Sequence, residues 1–271
     1  MLAPMEGYTD GVLRTLCHNH GADLTFTEMT HVESLLKRNK LALARISAFD
    51  STPVQIQLLT GREDKLMRFL KGFKPFPGFK GFNLNICCPS KDVIRQGKGA
   101  AMVKRAAKTD RLVSIIQSHG FSASVKLRLG INAFEKRNKL YLNCLRGVRA
   151  DFFIVHAKTA TQESTEPVDY GVFPECVEAA DGIPVIANGG IDSVDKVRAL
   201  IEMGVAGVMI GRAALGNPSI FDELKNNLGF NDPENMIPTR EGIMEKYYSL
   251  NERHGTRRYL ESFQRVFAYN D

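Results

Sequence analysis

Short apolar runs alternate with amphipathic stretches along most of this chain. Apolar runs fall at residues 2–5, 23–29, 53–59, 82–86, 123–129, 152–156, 184–188 and 206–210. Between them apolar residues recur at helical spacing. Examples are Val12, Leu13, Leu16 and Cys17; Leu66, Met67, Phe69 and Leu70; and Leu112, Val113, Ile115 and Ile116. The pattern predicts helices over 10–19, 33–43, 63–73, 109–119, 132–148, 173–180, 193–203 and 212–227. Near-continuous apolar strands separated by helices argue for a parallel sheet covered by helices. Repeated around a full ring, they predict an α/β fold, a (β/α)8 TIM barrel over residues 1–228. An open doubly wound sheet is the alternative, but no G-x-G-x-x-G follows the first strand.

The alternation stops at 229–239, where Asn231-Asp232-Pro233 and Ile237-Pro238-Thr239 read as a linker. The remainder, 233–271, is a short C-terminal extension that is helical, basic and aromatic, with Arg253, Arg257, Arg258 and Arg265 among Tyr247, Tyr248, Tyr259 and Phe263. It is too short to stand alone and is expected to pack on the barrel or to belong to a larger helical unit.

Composition adds little against this picture. The 271 residues carry a net charge of +6, which allows a polyanionic partner without requiring one. Cysteines stand at 17, 87, 88, 144 and 176, an odd number without disulfide-scaffold or zinc spacing. That pattern suggests a reducing, cytoplasmic setting and no metal. No signal peptide and no membrane-length apolar run is present in the sequence.

Chemistry concentrates in residues 83–104. An apolar strand stops at Cys87-Cys88-Pro89, and a segment with Lys91, Arg95, Lys98, Gly97 and Gly99 follows. Proline cannot donate to a ladder, so the strand ends there. A thiol is thereby set at the carboxyl end of a strand, where barrels keep their active sites. Read alone, the pair is as easily two buried structural cysteines. The other strand ends add Pro4-Met5-Glu6 with Ala3, Glu28, Gln57, Asn85, Lys126 with Arg128, His156, Asn188-Gly189-Gly190 and Gly211-Arg212. Glycines after strands seven and eight suit a phosphate, and Arg212 adds charge. A lysine in a buried strand needs a partner. Together the set fits flavin mononucleotide (FMN), with Gln57, Lys126 and His156 at the ring. Each residue also has a plainer reading: turns for the glycines, a structural histidine, and Glu28 balancing Lys126.

The motifs resemble the tRNA-dihydrouridine synthase family, over nearly the whole chain. The opening from Leu2 to Asp10 is similar to its A-P-M-x-G-x-T-D start. The run Asn83-Leu84-Asn85-Ile86-Cys87-Cys88-Pro89 resembles its N-x-x-C-P signature, and Val125-Lys126-Leu127-Arg128, Val155-His156, Val185-Ile186-Ala187-Asn188-Gly189 and Ile210-Gly211-Arg212 match later blocks. The resemblance implies an enzyme that reduces uridines in tRNA to 5,6-dihydrouridine, with FMN bound by Ala3, Pro4, Met5, Gln57, Lys126, His156, Asn188, Gly189, Gly190, Gly211 and Arg212, and with NADPH as reductant. It implies hydride delivery from flavin N5 to C6 of uracil and proton donation to C5 by Cys88, with Cys87, often glycine in the family, left as a packing residue. Substrate contacts are then expected from Glu28, Asn85, Lys91, Arg95, Arg128, Lys158, Arg257 and Arg258. A monomer is expected.

Two departures stand out. Many members carry Gly-Arg-Thr after the histidine, whereas this chain has Ala157-Lys158-Thr159, and residues 161–167 are unlike the usual loop. The segment after the linker is also shorter than the family's helical domain. Two rival readings are a flavin barrel acting on a free pyrimidine, as in dihydroorotate dehydrogenases, and a non-catalytic RNA-binding relative.

Overall fold

A computed structural model describes residues 1–230 and 238–268. The predicted linker core, 231–237, and the last residues, 269–271, lie outside the described residues. The predicted strands form one parallel sheet: β1 (Thr25–Phe26), β2 (Thr30–His31), β3 (Val54–Leu59), β4 (Phe79–Ile86), β5 (Ala123–Arg128), β6 (Phe153–His156), β7 (Val185–Asn188) and β8 (Gly207–Met209). The ladder runs in sequence order from β3 to β8, with β1 and β2 both paired to β3. The second predicted strand is thus split around Glu28. The first is a single bridge, Leu2 to Ile210, which closes the ring. Leu2 N–H donates to Leu24 carbonyl at 2.9 Å on one side, and Ala3 N–H donates to Ile210 carbonyl at 2.8 Å on the other. The fold is the expected barrel.

Apolar outward-facing strand residues meet the helices in a continuous core containing Ile56, Phe82, Val125, Phe153 and Val185. The barrel interior differs. Gln55, Gln57, Asn83, Asn85, Ser124 and Lys126 are all buried. Such groups cost several kcal/mol each if unpaired; here Lys126 donates to Asn188 and Cys87, and the other five are linked to one another. Ser124 hydroxyl donates to Gln55, Asn83 amide to Ser124, Gln57 amide to Asn83 and Asn85 amide to Gln57, the last three at 2.7–2.8 Å. The ladder register makes this possible by setting Gln57 beside Asn83 and Asn85 beside Lys126.

Several predicted single helices are broken in two. Residues 33–43 become Val32–Leu36 and Lys40–Ile46 with Arg38 at φ 54°, and 132–148 becomes Ala133–Arg137 and Leu140–Gly147 with Lys139 at φ 52°. Residues 212–227 become Arg212–Gly216 and Ile220–Asn227. There Pro218 disfavours the helical conformation at Asn217. The apolar period survives such breaks, which is why the sequence reads them as continuous. The segment after Cys88 holds a helix, Lys91–Arg95, and a 3₁₀ turn, Gly99–Met102.

The C-terminal helices Arg240–His254 and Arg257–Ala268 pack on the barrel. Their Ile243, Tyr247, Phe263 and Phe267 are buried in the main core. Tyr247 stacks on Phe263 with ring centres 3.9 Å apart. Among the described residues no helix is long and apolar enough to cross a membrane.

Candidate active site

A cavity of about 710 Å³ opens at the carboxyl ends of the strands, within the range of small-molecule sites. Ala3, Pro4, Met5, Gln57, Lys126, His156, Asn188, Gly189, Gly190, Gly211 and Arg212 all line it, as do Cys87, Cys88, Asn85, Arg128 and Lys158. The fold therefore gathers every residue expected at the flavin. Its parallel register is the cause, since Arg128, His156 and Asn188 lie side by side on β5, β6 and β7.

The two cysteines hang from one side chain. Asn85 Oδ1 accepts from Cys87 N–H at 3.0 Å and from Cys88 N–H at 2.8 Å. The amide chain from the barrel floor therefore ends on the cysteine turn. Gly99, at φ 57°, packs against it so closely that a Cβ would lie 2.7 Å from Cys88 carbonyl. Only glycine fits that conformation and that gap. The segment's glycine thus fixes the thiol's position.

The thiols differ. Cys88 is partly exposed to the cavity, and burial, with some help from Cys87, raises its pKa above the ordinary 9.0. It stays a thiol. Cys87 Sγ lies 3.4 Å from Lys126 Nζ, and its carbonyl accepts from Arg128 Nε at 3.0 Å. Burial disfavours its thiolate, but Lys126 and Arg128 outweigh that and lower its pKa. Cys87 is therefore not only a packing residue, as expected from sequence. It partners the buried lysine. Lys126, 6% exposed, also donates to Asn188 Oδ1 at 2.9 Å. Burial lowers its pKa.

His156 is held at a pKa of about 2 by burial and by the surrounding Lys126, Arg128, Lys158 and Arg212. It is a neutral imidazole. Gly189, at φ 119°, lies under it; a Cβ there would meet His156 Cδ2 at 2.9 Å.

The two sequence departures after His156 prove to be one feature. Lys158, 3% exposed, donates to the carbonyls of Glu163 and Ser164, both at 2.9 Å. Arg212 also donates to Ser164 carbonyl, at 3.1 Å. The unusual loop is thereby folded over the cavity, and Gln162, Glu163 and Ser164 line it. An ammonium with three donors can gather carbonyls from a turn; a planar guanidinium fork suits carboxylates and phosphates better.

Other expected substrate residues lie elsewhere. Glu28 does not line the cavity and does not balance Lys126; its partners are Gly7, Arg45 and Tyr259. Its strand is interrupted there, which turns it away from the barrel axis. Lys91 and Arg95 sit on an exposed helix outside the lining, with Arg95 paired to Asp92 at 3.1 Å. Arg257 and Arg258 are exposed on the last helix, and Arg257 pairs with Glu261 at 2.7 Å. Sequence reading missed Cys87 as a cation partner, the lining loop at 162–164, and Tyr259 as a contact to the barrel. The first was signalled by two thiols next to a lysine strand; the last had no local signal.

The dihydrouridine synthase (Dus) family model matches residues 1–269. The chain belongs to this family. Dus relatives include a tRNA-dihydrouridine synthase B of Pseudomonas putida, 32% identical over 84% of this chain and 68% of the relative. A second, from Xanthomonas axonopodis, is 31% identical over 84% and 69%, and a probable tRNA-dihydrouridine synthase of Helicobacter pylori is 32% identical over 83% and 70%. Among solved structures, a variant of NCR from Zymomonas mobilis superposes with a TM-score of 0.53 at 13% identity, over 94% of this chain and 92% of that one. That likeness concerns the fold alone. As a Dus member, the chain is an oxidoreductase of the dihydrouridine synthase type.

Proposed function

We propose that this enzyme reduces uridines in tRNA to 5,6-dihydrouridine, using FMN with NADPH as reductant and Cys88 as the proton donor. The observation that carries the reading is a single cavity with a protonated thiol at one side and a cluster of cations and glycines at the other. The residues fit FMN by their chemistry. Gly189, Gly190, Gly211 and Arg212 offer backbone approach and charge for the phosphate. Gln57 and Asn188 keep an unused donor or acceptor position for a planar heterocycle, and Lys126 supplies a buried cation for its electron-rich edge.

When bound, the flavin supplies hydride for C6 of uracil. Cys88 supplies the proton for C5, which its raised pKa keeps on sulfur at neutral pH. Asn85 and Gly99 hold that sulfur in place. His156, a neutral imidazole lining the cavity, would offer a ligand a ring N–H without adding charge. Arg128, tied to Cys87 carbonyl and Thr159 carbonyl, braces the turn from the substrate side. The uracil must leave the tRNA stack to enter the cavity, and the exposed Lys91, Arg95, Arg257 and Arg258, outside the cavity lining, offer phosphate contacts to the rest of the RNA.

The purified protein should be yellow, and tRNA from cells lacking the gene should lose dihydrouridine at one or more positions. A colourless protein, or unchanged tRNA, sinks the proposal. Turnover of free uracil or another free pyrimidine, with none on tRNA, would shift the assignment to a small-molecule reductase.

A further inference from the structure

Glu28 sits where the second strand is interrupted and is 1% exposed. A carboxylate this deep requires partners, and three reach it from distant parts of the chain. Gly7 N–H donates to its Oε1. Arg45 Nε lies 3.1 Å from its Oε2, and the same guanidinium pairs with Glu6. Tyr259 hydroxyl donates to Oε2 at 2.7 Å, from 231 residues away. Each partner belongs to a different unit. Gly7, at φ 83°, follows Pro4, Met5 and Glu6, which line the cavity. Arg45 lies on the helix Lys40–Ile46. Tyr259 lies on the last helix, beside the exposed Arg257 and Arg258.

We propose that Tyr259 is a positioning residue for the cavity wall: through Glu28 and the Gly7 amide it ties the basic C-terminal helix to residues 3–7, so that RNA held by that helix is sensed at the cofactor cavity. The functional weight of this link rests on the tRNA and flavin reading above; the link itself does not. Apolar anchoring keeps the helix docked without the phenol, because Phe263 and Phe267 of the same helix are buried in the core. The hydroxyl is thus free to act on the wall alone. Two intervening hydrogen bonds suffice, and both converge on a carboxylate that is itself buried, where an electrostatic contact is stronger than in water.

Backbone hydrogen exchange on the full-length protein, wild type against Tyr259→Phe, tests this. Without flavin or RNA, residues 3–9 should exchange roughly tenfold faster in the variant, the scale of losing one hydrogen bond to a charged acceptor. Residues 257–268 and the strands β3 to β5 should be unchanged. An unmodified tRNA transcript should slow exchange at 3–9 in the wild type and not in Tyr259→Phe, with equal affinity for both. Wild-type exchange at 3–9 in the variant overturns the proposal, as does equal slowing by tRNA in both proteins. Loosening of 257–268 in the variant also overturns it, since the phenol would then be an anchor of the tail. A colourless protein that retains the exchange difference would defeat the flavin reading and leave this link standing. A yellow, active protein without the difference would do the reverse.

Discussion

On the side of the mouth built by β5 to β8, Lys126, Arg128, His156, Lys158 and Arg212 crowd one wall of the cavity. On the side built by residues 3–6, β3 and β4 the lining includes Met5, Glu6, Gln57, Asn85, Cys87, Cys88 and Ser90, with no cation among the described residues. The cationic wall is expensive to fold. Lys126 and Lys158 share that confined space with an imidazole and donate there to an amide oxygen, a thiol and two backbone carbonyls. The amide and thiol wall is self-satisfied through its hydrogen-bond chain. A pocket arranged this way is preorganised for an anionic ligand on one side and for chemistry at a fixed neutral acid on the other. Affinity and turnover should therefore separate by wall.

The cationic wall is broken by Lys126→Met. Flavin affinity should fall roughly hundredfold, the scale of one buried charged contact. Absorbance of the purified protein near the flavin maximum reads this directly. Retained colour at wild-type affinity would mean the cationic wall does not hold the cofactor. Next, Cys88→Ala should keep flavin and tRNA binding but slow flavin reoxidation by tRNA by about 10²–10⁴, the usual worth of a positioned acid. Rapid-mixing absorbance measures it. Loss of flavin in that variant would instead place Cys88 with the binding residues. Cys87→Ala should fall between the walls. Its thiol faces Lys126, so the flavin spectrum and affinity should change while reoxidation slows by less than about tenfold.

Two pH profiles sharpen the contrast. A raised pKa at Cys88 keeps the acid loaded, so reoxidation by tRNA should be flat through neutrality and fall only above pH 9.0, the ordinary thiol value. A decline beginning near pH 7 would contradict a protonated donor. His156 acts on stability with the opposite sense. Its folded pKa of about 2 lies below the ordinary 6.5, so the unfolded chain binds the extra proton. Its contribution is present above pH 6.5 and is lost as pH falls. By pH 5 the flavin-free protein should be weakened by roughly 2 kcal/mol from this group. Denaturant unfolding of wild type and His156→Asn measures it; an equal acid loss in both would remove His156 as the cause.

The amide and thiol wall was legible from sequence, and so was most of the cationic one. Alternating polar residues in otherwise apolar strands, Gln55 with Gln57 and Asn83 with Asn85, mark inward positions because strand side chains alternate faces. Residues at strand ends then follow from the barrel. What failed was anything set by a short irregular segment. Arg38 and Lys139 in the left-handed region break helices without leaving a glycine or proline to announce it. Glu28 looked like a mouth residue because it ends an apolar run, yet the strand is interrupted there and its carboxylate turns to Arg45 and Tyr259. Cys87 looked inert because the thiol's partner, Lys126, lies on another strand and only the register brings them together.

Lys158 and the loop it gathers have a consequence for comparing relatives. The lysine's two acceptors are backbone carbonyls of residues 163 and 164, so the side chain and the loop conformation depend on each other. Swapping Lys158 for arginine alone would remove the ammonium that the Glu163 and Ser164 carbonyls share, leaving Ser164 carbonyl to Arg212, and importing another member's loop alone would strand an ammonium. A chimera that exchanges this part of the mouth must therefore carry both together.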